Sequence, residues 1–559
     1  MPHVITQSCC SDGSCVYACP VNCIHPTPDE PGFATAEMLY IDPDACVDCG
    51  ACVSACPVGA IAPDTKLQPE QLPFVELNAA FYPKRDGKLP PTSKLAPVLE
   101  APVVHRRPDG PLRVAIVGSG PAAMYAADEL LTQRGVEVNV FEKLPTPYGL
   151  VRAGVAPDHQ STKRVTRLFD RIAQSPAFTF YLNVEVGTHI THDELLSHHH
   201  AVLYAVGAPN DRRLDIDGID LPGNATATEV VAWYNGHPEF TDLTVDLSGD
   251  RVVIIGNGNV ALDVARILTT DPDELAGTDI ADHALSALRE SRVAEVVIAA
   301  RRGPEVSAFT LPELIGLTSA CEVVLDPTDH ERVLTALAET ADELTRNKLE
   351  ILSKLGDASA PITRPRIRLA YHLTPQQVLG PQRATGVRFT VTGTGQTHDI
   401  PAGLVLTSIG YRGKPIRGLP FDQTAAVVPN EGGRVVDPAS GRPVAGAYVA
   451  GWIKRGPTGF IGTNKSCAAE TVRNLVADYN DGLLAAPVHR PGALDRAVRN
   501  RQPQLVDRQG WEAIDAAEVA RGAGQRPRDK FTSVADLVAT AQTGRETPLH
   551  RRLLAGLRR

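Results

Sequence analysis

The sequence predicts a multidomain chain, a small cysteine-rich α+β head followed by a larger α/β body with two dinucleotide-binding folds. Three observations carry that reading. Nine of the eleven cysteines fall within the first 56 residues. An apolar strand running into Gly-x-Gly-x-x-Ala and then a helical pattern occurs twice, at Gly118 and at Gly256. At 559 residues the chain is also too long for one domain.

The head comes first. Cys46-Val-Asp-Cys49-Gly-Ala-Cys52-Val-Ser-Ala-Cys56-Pro57 is an uninterrupted C-x2-C-x2-C-x3-C-P run. Such spacing wraps three thiolates around one iron–sulfur cubane and sends the fourth to a second cluster. Upstream, Cys9-Cys10-Ser-Asp12-Gly-Ser-Cys15-Val-Tyr-Ala-Cys19-Pro20 repeats the run with Asp12 in place of the central cysteine. If the two runs cross over, Cys46, Cys49, Cys52 and Cys19 hold one [4Fe–4S] cluster, leaving Cys9, Cys15 and Cys56 for the other. Three thiolates suit [3Fe–4S]; an oxygen from Asp12 would complete a second [4Fe–4S], although carboxylate is the harder and weaker ligand. Both readings stay open, as does Cys10 in place of Cys9, with spacing favouring Cys9. Cys23 fits no ligand slot and reads as a packed thiol. This stretch resembles the seven-iron bacterial-type ferredoxins over residues 1–62.

Zinc would want four ligands per metal without the Cys-Pro endings. A disulfide framework would want a signal peptide, and Met-Pro-His-Val-Ile has neither a basic nor an apolar leader region. Beyond residue 56 only Cys321 and Cys467 remain, which fits a reducing, cytoplasmic setting. No apolar stretch approaches 18 residues, so no membrane span is expected. The formal charge of −10 argues against general nucleic-acid binding. Residues 1–61 carry Asp12, Asp29, Glu30, Glu37, Asp42, Asp44 and Asp48 with no Lys or Arg, whereas His550-Arg551-Arg552 to Arg558-Arg559 is basic. The acidic head either docks by charge complementarity or is simply a solvated face.

Residues 63–111 are Pro-rich, with Pro90-Pro91 and Pro108-Asp-Gly-Pro111, and read as a connector. The first nucleotide-binding fold follows. Leu112–Val117 leads into Gly118-Ser-Gly120-Pro-Ala-Ala123, whose glycines permit close approach to a pyrophosphate at a helix N-terminus. A second strand ends at Glu142, 24 residues after Gly118, where a carboxylate binds ribose hydroxyls. The second fold has Arg251–Ile255 leading into Gly256-Asn257-Gly258-Asn259-Val260-Ala261. Its next strand ends in Arg301-Arg302 rather than an acid. An arginine pair there favours a 2′-phosphate, hence NADP(H) over NAD(H), unless it is only an exposed basic turn. The long gap from Gly256 to Arg301 implies an insertion around residues 270–292. Two such sites imply a flavoprotein, with FAD in the first and the nicotinamide nucleotide in the second. Flavin converts hydride into single electrons.

Residues 112–500 resemble the adrenodoxin-reductase-like ferredoxin–NADP reductases. The resemblance rests on Phe141-Glu-Lys-Leu-Pro-Thr-Pro-Tyr-Gly-Leu150-Val-Arg-Ala-Gly-Val-Ala-Pro-Asp-His159, on Gly-Asn-Gly-Asn-Val-Ala with Arg301-Arg302, and on Gly451-Trp452-Ile-Lys-Arg-Gly-Pro-Thr-Gly459-Phe460-Ile461-Gly-Thr-Asn-Lys. The whole chain is similar to fusions of a seven-iron ferredoxin with such a reductase. This resemblance implies an α+β two-cluster ferredoxin followed by a Rossmann-like FAD domain (112–210 and 408–486) with an inserted NADP domain (211–407), closed by helices at 487–559. It also implies FAD contacts from Glu142, Leu150, Val186, Trp452, Gly459, Phe460 and Ile461. NADP contacts are implied for Arg212, Asn257 to Val260, Arg301, Arg302 and Glu313, with Gly459 also near the nicotinamide. His159, with Glu313, is expected at the reacting end.

The bland alternatives are a structural hydrogen bond for His159, a helix first-turn carboxylate for Glu313 and a core position for Trp452. The segment Thr458–Gly462 is expected to open a helix whose N–H groups stabilise negative charge on reduced flavin. Cys467 replaces the family's usual Asp.

The expected activity is that of a ferredoxin–NADP(+) reductase (EC 1.18.1.2 type), with ferredoxin or a cytochrome P450-type protein as acceptor. Rival readings are the flavoprotein subunit of a glutamate-synthase-like oxidoreductase and an iron–sulfur redox sensor. Thioredoxin-reductase-like chemistry is disfavoured because no C-x-x-C occurs beyond residue 56.

Overall fold

The structure is a computed structural model describing residues 2–83, 95–97, 102–107 and 110–546. Pro90-Pro91, Pro108-Asp109 and the basic His550–Arg559 tail lie outside the described residues.

The head is an internal repeat written in backbone geometry. Ser11 and Asp48 share positive φ (56° and 55°), as do Gly13 and Gly50 (71° and 72°). Each pair leads into a five-residue helix, Ser14–Ala18 and Ala51–Ala55, ending at Cys19 and Cys56 with matching extended dihedrals. His3–Ile5 pairs antiparallel with Ile61–Pro63, and Ile24–His25 with Tyr40–Ile41. In this repeat Cys9 stands where Cys46 stands, and Asp12 where Cys49 stands.

The presumed connector begins later than its composition suggests. Residues 64–82 extend the head rather than leaving it. The helix Pro73–Ala80 buries Phe74 and Leu77 in the head's core. Asn78 accepts from the Ile5 and Ile41 amides at 3.2 and 2.9 Å and donates to the Ile5 carbonyl at 2.9 Å. Tyr82 donates to the Cys23 and Tyr40 carbonyls. One buried amide thus ties the first strand to the third, which turn residues alone do not announce.

The body holds two open sheets. In one, Ala201–Tyr204, Leu112–Val117, Val136–Glu142 and Phe178–Leu182 run parallel, and Arg442–Val449 joins them from far along the chain. Leu112–Val117 is buried throughout, as a parallel strand covered on both faces must be. In the other, Asn224–Thr226, Leu404–Thr407, Arg251–Ile255, Glu295–Ala299, Arg366–Ala370, Glu322–Leu325 and Gly356–Asp357 are all parallel. The second fold is therefore inserted into the first. The two chain crossings pair with each other, Asn210–Asp211 against Tyr411–Arg412. The insertion after the second glycine loop forms the helices Pro272–Leu275 and Asp282–Arg289.

The C-terminal helices Ala493–Arg501, Arg508–Arg521 and Val534–Glu546 are not a loose appendage. Trp511 meets Tyr148 edge-on at 5.8 Å. Glu518, with a fully buried side chain, takes both arms of Arg152 at 2.6 and 2.9 Å. Lys530 reaches Asp279 at 2.9 Å, which also holds Lys163 at 2.7 Å. The segment thereby clamps the first fold to the second.

Candidate functional site

Both glycine loops have the geometry that a phosphate approach requires. Gly118 has φ of 96°, and a Cβ there would sit 2.9 Å from the Ala205 carbonyl carbon. Gly120 begins the helix Pro121–Leu131, which packs Ala123 fully buried, and the space beside Gly120 is open. Gly256 (φ 113°) is pressed in the same way against Ser408, and Gly258 begins Asn259–Thr269 beside open space. Helix N-termini facing open space fit anionic diphosphates. Asn257 and Val260 flank that second turn.

Glu142 ends its strand where the loop can use it. It accepts from the Ser119 amide at 3.1 Å, the Ser119 hydroxyl at 2.7 Å and the Leu144 amide at 3.1 Å. Burial pushes its carboxyl up, against these hydrogen bonds. A Cβ at Gly149 (φ 49°) would sit 3.2 Å from the Gly120 Cα, so this turn brings Leu150 to the same loop. Leu150 is 45% exposed, unusual for a large apolar side chain, and offers surface for a ring system to cover. Gly451 (φ 75°) packs onto Ala122 and so draws Trp452 to Ile461 towards that cleft. Trp452 is half-buried and leans on Tyr411, donating its indole N–H to the Thr458 carbonyl at 3.1 Å. Cys467 accepts the Gly451 amide at 3.3 Å, so its thiol serves this turn. Val186 is half-buried beyond the strand Phe178–Leu182.

In the second fold Arg301 and Arg302 are exposed after Glu295–Ala299, and Arg212 is exposed beside Gly410. Asn259 accepts the Thr310 amide at 2.8 Å, fixing the start of Leu311–Ala320, whose first turn carries Glu313. Where the two folds meet, donor atoms of His159, Asp263 and Glu313 lie within 4.8 Å of one another. His159 Nδ1 is 4.0 Å from Asp263. Buried Arg266 bridges Asp158 (2.6 Å) and Asp263 (2.8 Å), locking the Pro157–His159 turn of the first fold onto the second. Burial, then Asp263, pushes the Glu313 carboxyl up, while His159, Arg266 and Gln7 oppose this. Glu313 is a first-turn carboxylate of its helix that also faces Asp263 and His159. Asp263, Arg266 and Thr310 carried no sequence signal apart from their nearness to the glycine loop.

In the head, Cys19, Cys46, Cys49 and Cys52 line one small cavity, with Cys49 exposed. Cys23 also lines it, with its sulfur 3.4 Å from that of Cys19. The Cys23 side chain and the nearby backbone amides hold the Cys19 thiol below its ordinary value, against burial. Cys9, Cys15 and Cys56 gather at the other end with Asp12 as electrostatic neighbour. Burial pushes the Cys9 and Cys52 thiols up from their ordinary value. The donor set fits two clusters. Asp12 is held by the Ser14 amide (3.3 Å) and hydroxyl, and it lies 3.9 Å from Lys465. Cys10 is buried against the body, and its carbonyl accepts the Gly462 amide at 2.7 Å. The helix Thr463–Asn480 thus starts as expected, but its leading N–H is bound to the head rather than left for a flavin.

The head seats on both folds. Asp12 and Ser14 meet Lys465, the latter at 2.8 Å. Glu37 takes Lys348 at 2.6 Å and the Leu311 amide at 2.6 Å. Gln7 donates to Glu313 at 2.9 Å. Two of the seven head acids therefore dock against lysines. Others are used locally, Glu30 with His25 and Asp48 with His3.

Comparison with known proteins agrees with this architecture. Residues 112–303 match the pyridine nucleotide-disulphide oxidoreductase family, and residues 39–62 match the 4Fe-4S binding domain. A probable ferredoxin/ferredoxin–NADP reductase of Mycobacterium tuberculosis is 72% identical over all of this chain and 98% of its own. Its Mycobacterium leprae counterpart is 69% identical over 97% of this chain and 98% of its own. NADPH-ferredoxin reductase FprA of Mycobacterium tuberculosis is 42% identical across 77% of this chain and 98% of its own, which leaves no room in it for a head of this size. The structure of that FprA in complex with NADPH superposes with a TM-score of 0.71 at 41% identity, covering 77% of this chain and all of its own. Among the described residues no helix is long and apolar enough to cross a membrane.

Proposed function

The chain belongs to the ferredoxin/ferredoxin–NADP reductase family, and on that premise we propose that it oxidises NADPH at a bound FAD and delivers single electrons through its own head to ferredoxin or a cytochrome P450-type acceptor. FAD, when bound, supplies the conversion between two-electron and one-electron chemistry, and the clusters supply one-electron carriage.

The chain's own residues divide the remaining work. Gly118, Gly120 and Ala123 let the FAD diphosphate approach a helix N-terminus, and Glu142 turns to the ribose hydroxyls. Leu150, Val186, Trp452, Gly459, Phe460 and Ile461 enclose the rest of the flavin nucleotide. Asn257 to Val260 take the NADP diphosphate, and Arg301, Arg302 and Arg212 supply positive charge for the 2′-phosphate. His159 and Glu313 orient the nicotinamide end and hold or relay a proton there.

One contact supports a through-head route above all others. The Gly462 amide is bound to the Cys10 carbonyl, so the loop carrying Cys9, Cys10 and Asp12 lies directly on the segment read as flavin-binding. We assign Cys9, Cys15 and Cys56 to the cluster nearer that segment. Cys19, Cys46, Cys49 and Cys52 hold the outer [4Fe–4S] cluster, with Cys49 facing solvent. Asp12 is engaged by Ser14 and Lys465, which favours a three-iron inner cluster. Free thiols throughout the described residues favour a reducing compartment such as the cytoplasm.

The test is anaerobic reduction of the purified holoprotein by NADPH, with the flavin identified after release and low-temperature EPR before and after dithionite. FAD, a three-iron signal as purified and a four-iron signal on reduction are expected. Protein that binds no flavin sinks the reading, and two four-iron signals sink the three-iron assignment.

A further inference from the structure

The head sends one side chain into the carboxylate cluster where the two nucleotide-binding folds meet. Gln7 Nε2 donates to Glu313 Oε2 at 2.9 Å across 306 residues of chain. We propose that Gln7 is a positioning residue for the NADPH-oxidising site, holding the Glu313 carboxylate from the head side so that head docking and nicotinamide-site geometry are one arrangement. This rests on the reading of Glu313 and His159 as the nicotinamide end.

Three observations carry it. First, the backbone around Gln7 is fixed by the head itself. The Thr6 amide and hydroxyl both donate to the Ala60 carbonyl (2.9 and 3.0 Å), and the Cys9 amide donates to the Thr6 carbonyl (3.1 Å). The amide of Gln7 therefore goes where the head goes. Second, the body leaves room for it. Gly316, three residues after Glu313 on the same helix, has no side chain, and a Cβ there would overlap the Gln7 amide group. Third, a neutral donor is what the site lacks. Glu313 already faces the carboxylate of Asp263 and the ring of His159. Arg266, the nearby cation, is shared between Asp158 and Asp263. An amide N–H satisfies Glu313 without adding charge to that set.

A contact that only helps the head to dock would change assembly and leave NADPH oxidation alone. The test uses full-length holoprotein and follows flavin reduction by NADPH in stopped-flow across about pH 6 to 9, with the NADP+ difference spectrum as a second readout. Q7E sets a fourth carboxylate beside Asp158, Asp263 and Glu313, facing His159 and Arg266. It is expected to slow reduction roughly tenfold at neutral pH and to move the pH midpoint upward. Q7A is expected to slow it about threefold to tenfold. G316A displaces Gln7 from the body side with the head sequence untouched, and it should reproduce Q7A. The double variant should be no slower than the slower single one.

Wild-type rate and midpoint in Q7A and Q7E, with flavin and iron content intact, overturn the proposal, as does G316A at the wild-type rate. Slow reduction in E313Q alongside wild-type Gln7 variants rejects the coupling and keeps the nicotinamide-site reading. E313Q at the wild-type rate removes that reading itself.

Discussion

Gly462 donates its backbone N–H to the carbonyl of Cys10 at 2.7 Å. A Cβ at 462 would overlap the Cys10 carbonyl and the backbone of Asp12. This pair joins the cysteine run of the head to the start of the helix Thr463–Asn480. G462A should therefore lift the head off the body. Flavin reduction by NADPH should slow no more than in Q7A, about threefold to tenfold, while the later reduction of the clusters, followed by EPR after rapid freezing, slows by roughly a further tenfold or more, as expected when a precisely docked contact is displaced. Cluster reduction at the wild-type rate would refute it.

Asp12 occupies the place that Cys49 occupies in the second run, after matching backbone at Ser11 and Asp48. D12C supplies the missing thiolate without moving the chain. Iron per chain should rise by about one, and the three-iron EPR signal should give way to a second four-iron one. A persistent three-iron signal in D12C would show that the site is closed to a fourth iron for another reason.

Arg301 and Arg302 project from the end of Glu295–Ala299 into solvent. Replacing either with Ala should raise KM for NADPH by roughly tenfold to a hundredfold, since each charge-assisted bond contributes about 1.5–3 kcal/mol. The kcat should hold, and KM for NADH should barely move. Equal effects on both nucleotides would mean that the arginines do not meet the 2′-phosphate.

Glu518 ties the C-terminal helices to Arg152. Burial pushes its carboxyl up, but Arg152 and Arg528 outweigh that and hold it below the usual range. A carboxyl lowered on folding contributes stability that is fully present above its unfolded value, about 4.3, and is lost as pH falls through the folded value. E518Q leaves Arg152 (12% exposed) without its anionic partner and should cost about 3–5 kcal/mol at neutral pH. It should also flatten the loss of stability on acidification below about pH 4. Thermal denaturation of both proteins at neutral and acid pH checks the sign, and an unchanged acid slope would discount the pair.

Much of the site was legible because its chemistry is local. Cysteine spacing encodes cluster ligation over a dozen residues. Each strand–glycine loop–helix encodes a diphosphate cradle over about twenty residues, and the same neighbours that make the motif make the site. The insertion of one nucleotide-binding fold in the other was expected only from the family resemblance, because two motifs in order do not tell that Arg442–Val449 returns to the first sheet. Composition announced a connector partly ordered against its neighbours, but not that the head is the neighbour holding residues 64–82. Proline-rich chain reads as a connector, yet Asn78 and Tyr82 anchor it to the head, because a single buried amide can satisfy two strands at once.

By itself, then, the sequence determined an iron–sulfur head and the two nucleotide-binding folds, since residue type and short spacing decide those. Tertiary structure alone decided which cysteine run faces the body and that Glu313 and Asp263 share a cluster with His159. It also decided that Gln7 reaches Glu313 and that the C-terminal helices lock Arg152 in place. These are pairings between surfaces hundreds of residues apart. They follow from shape, charge and the absence of a side chain at Gly316 and Gly462, and no local pattern announces them.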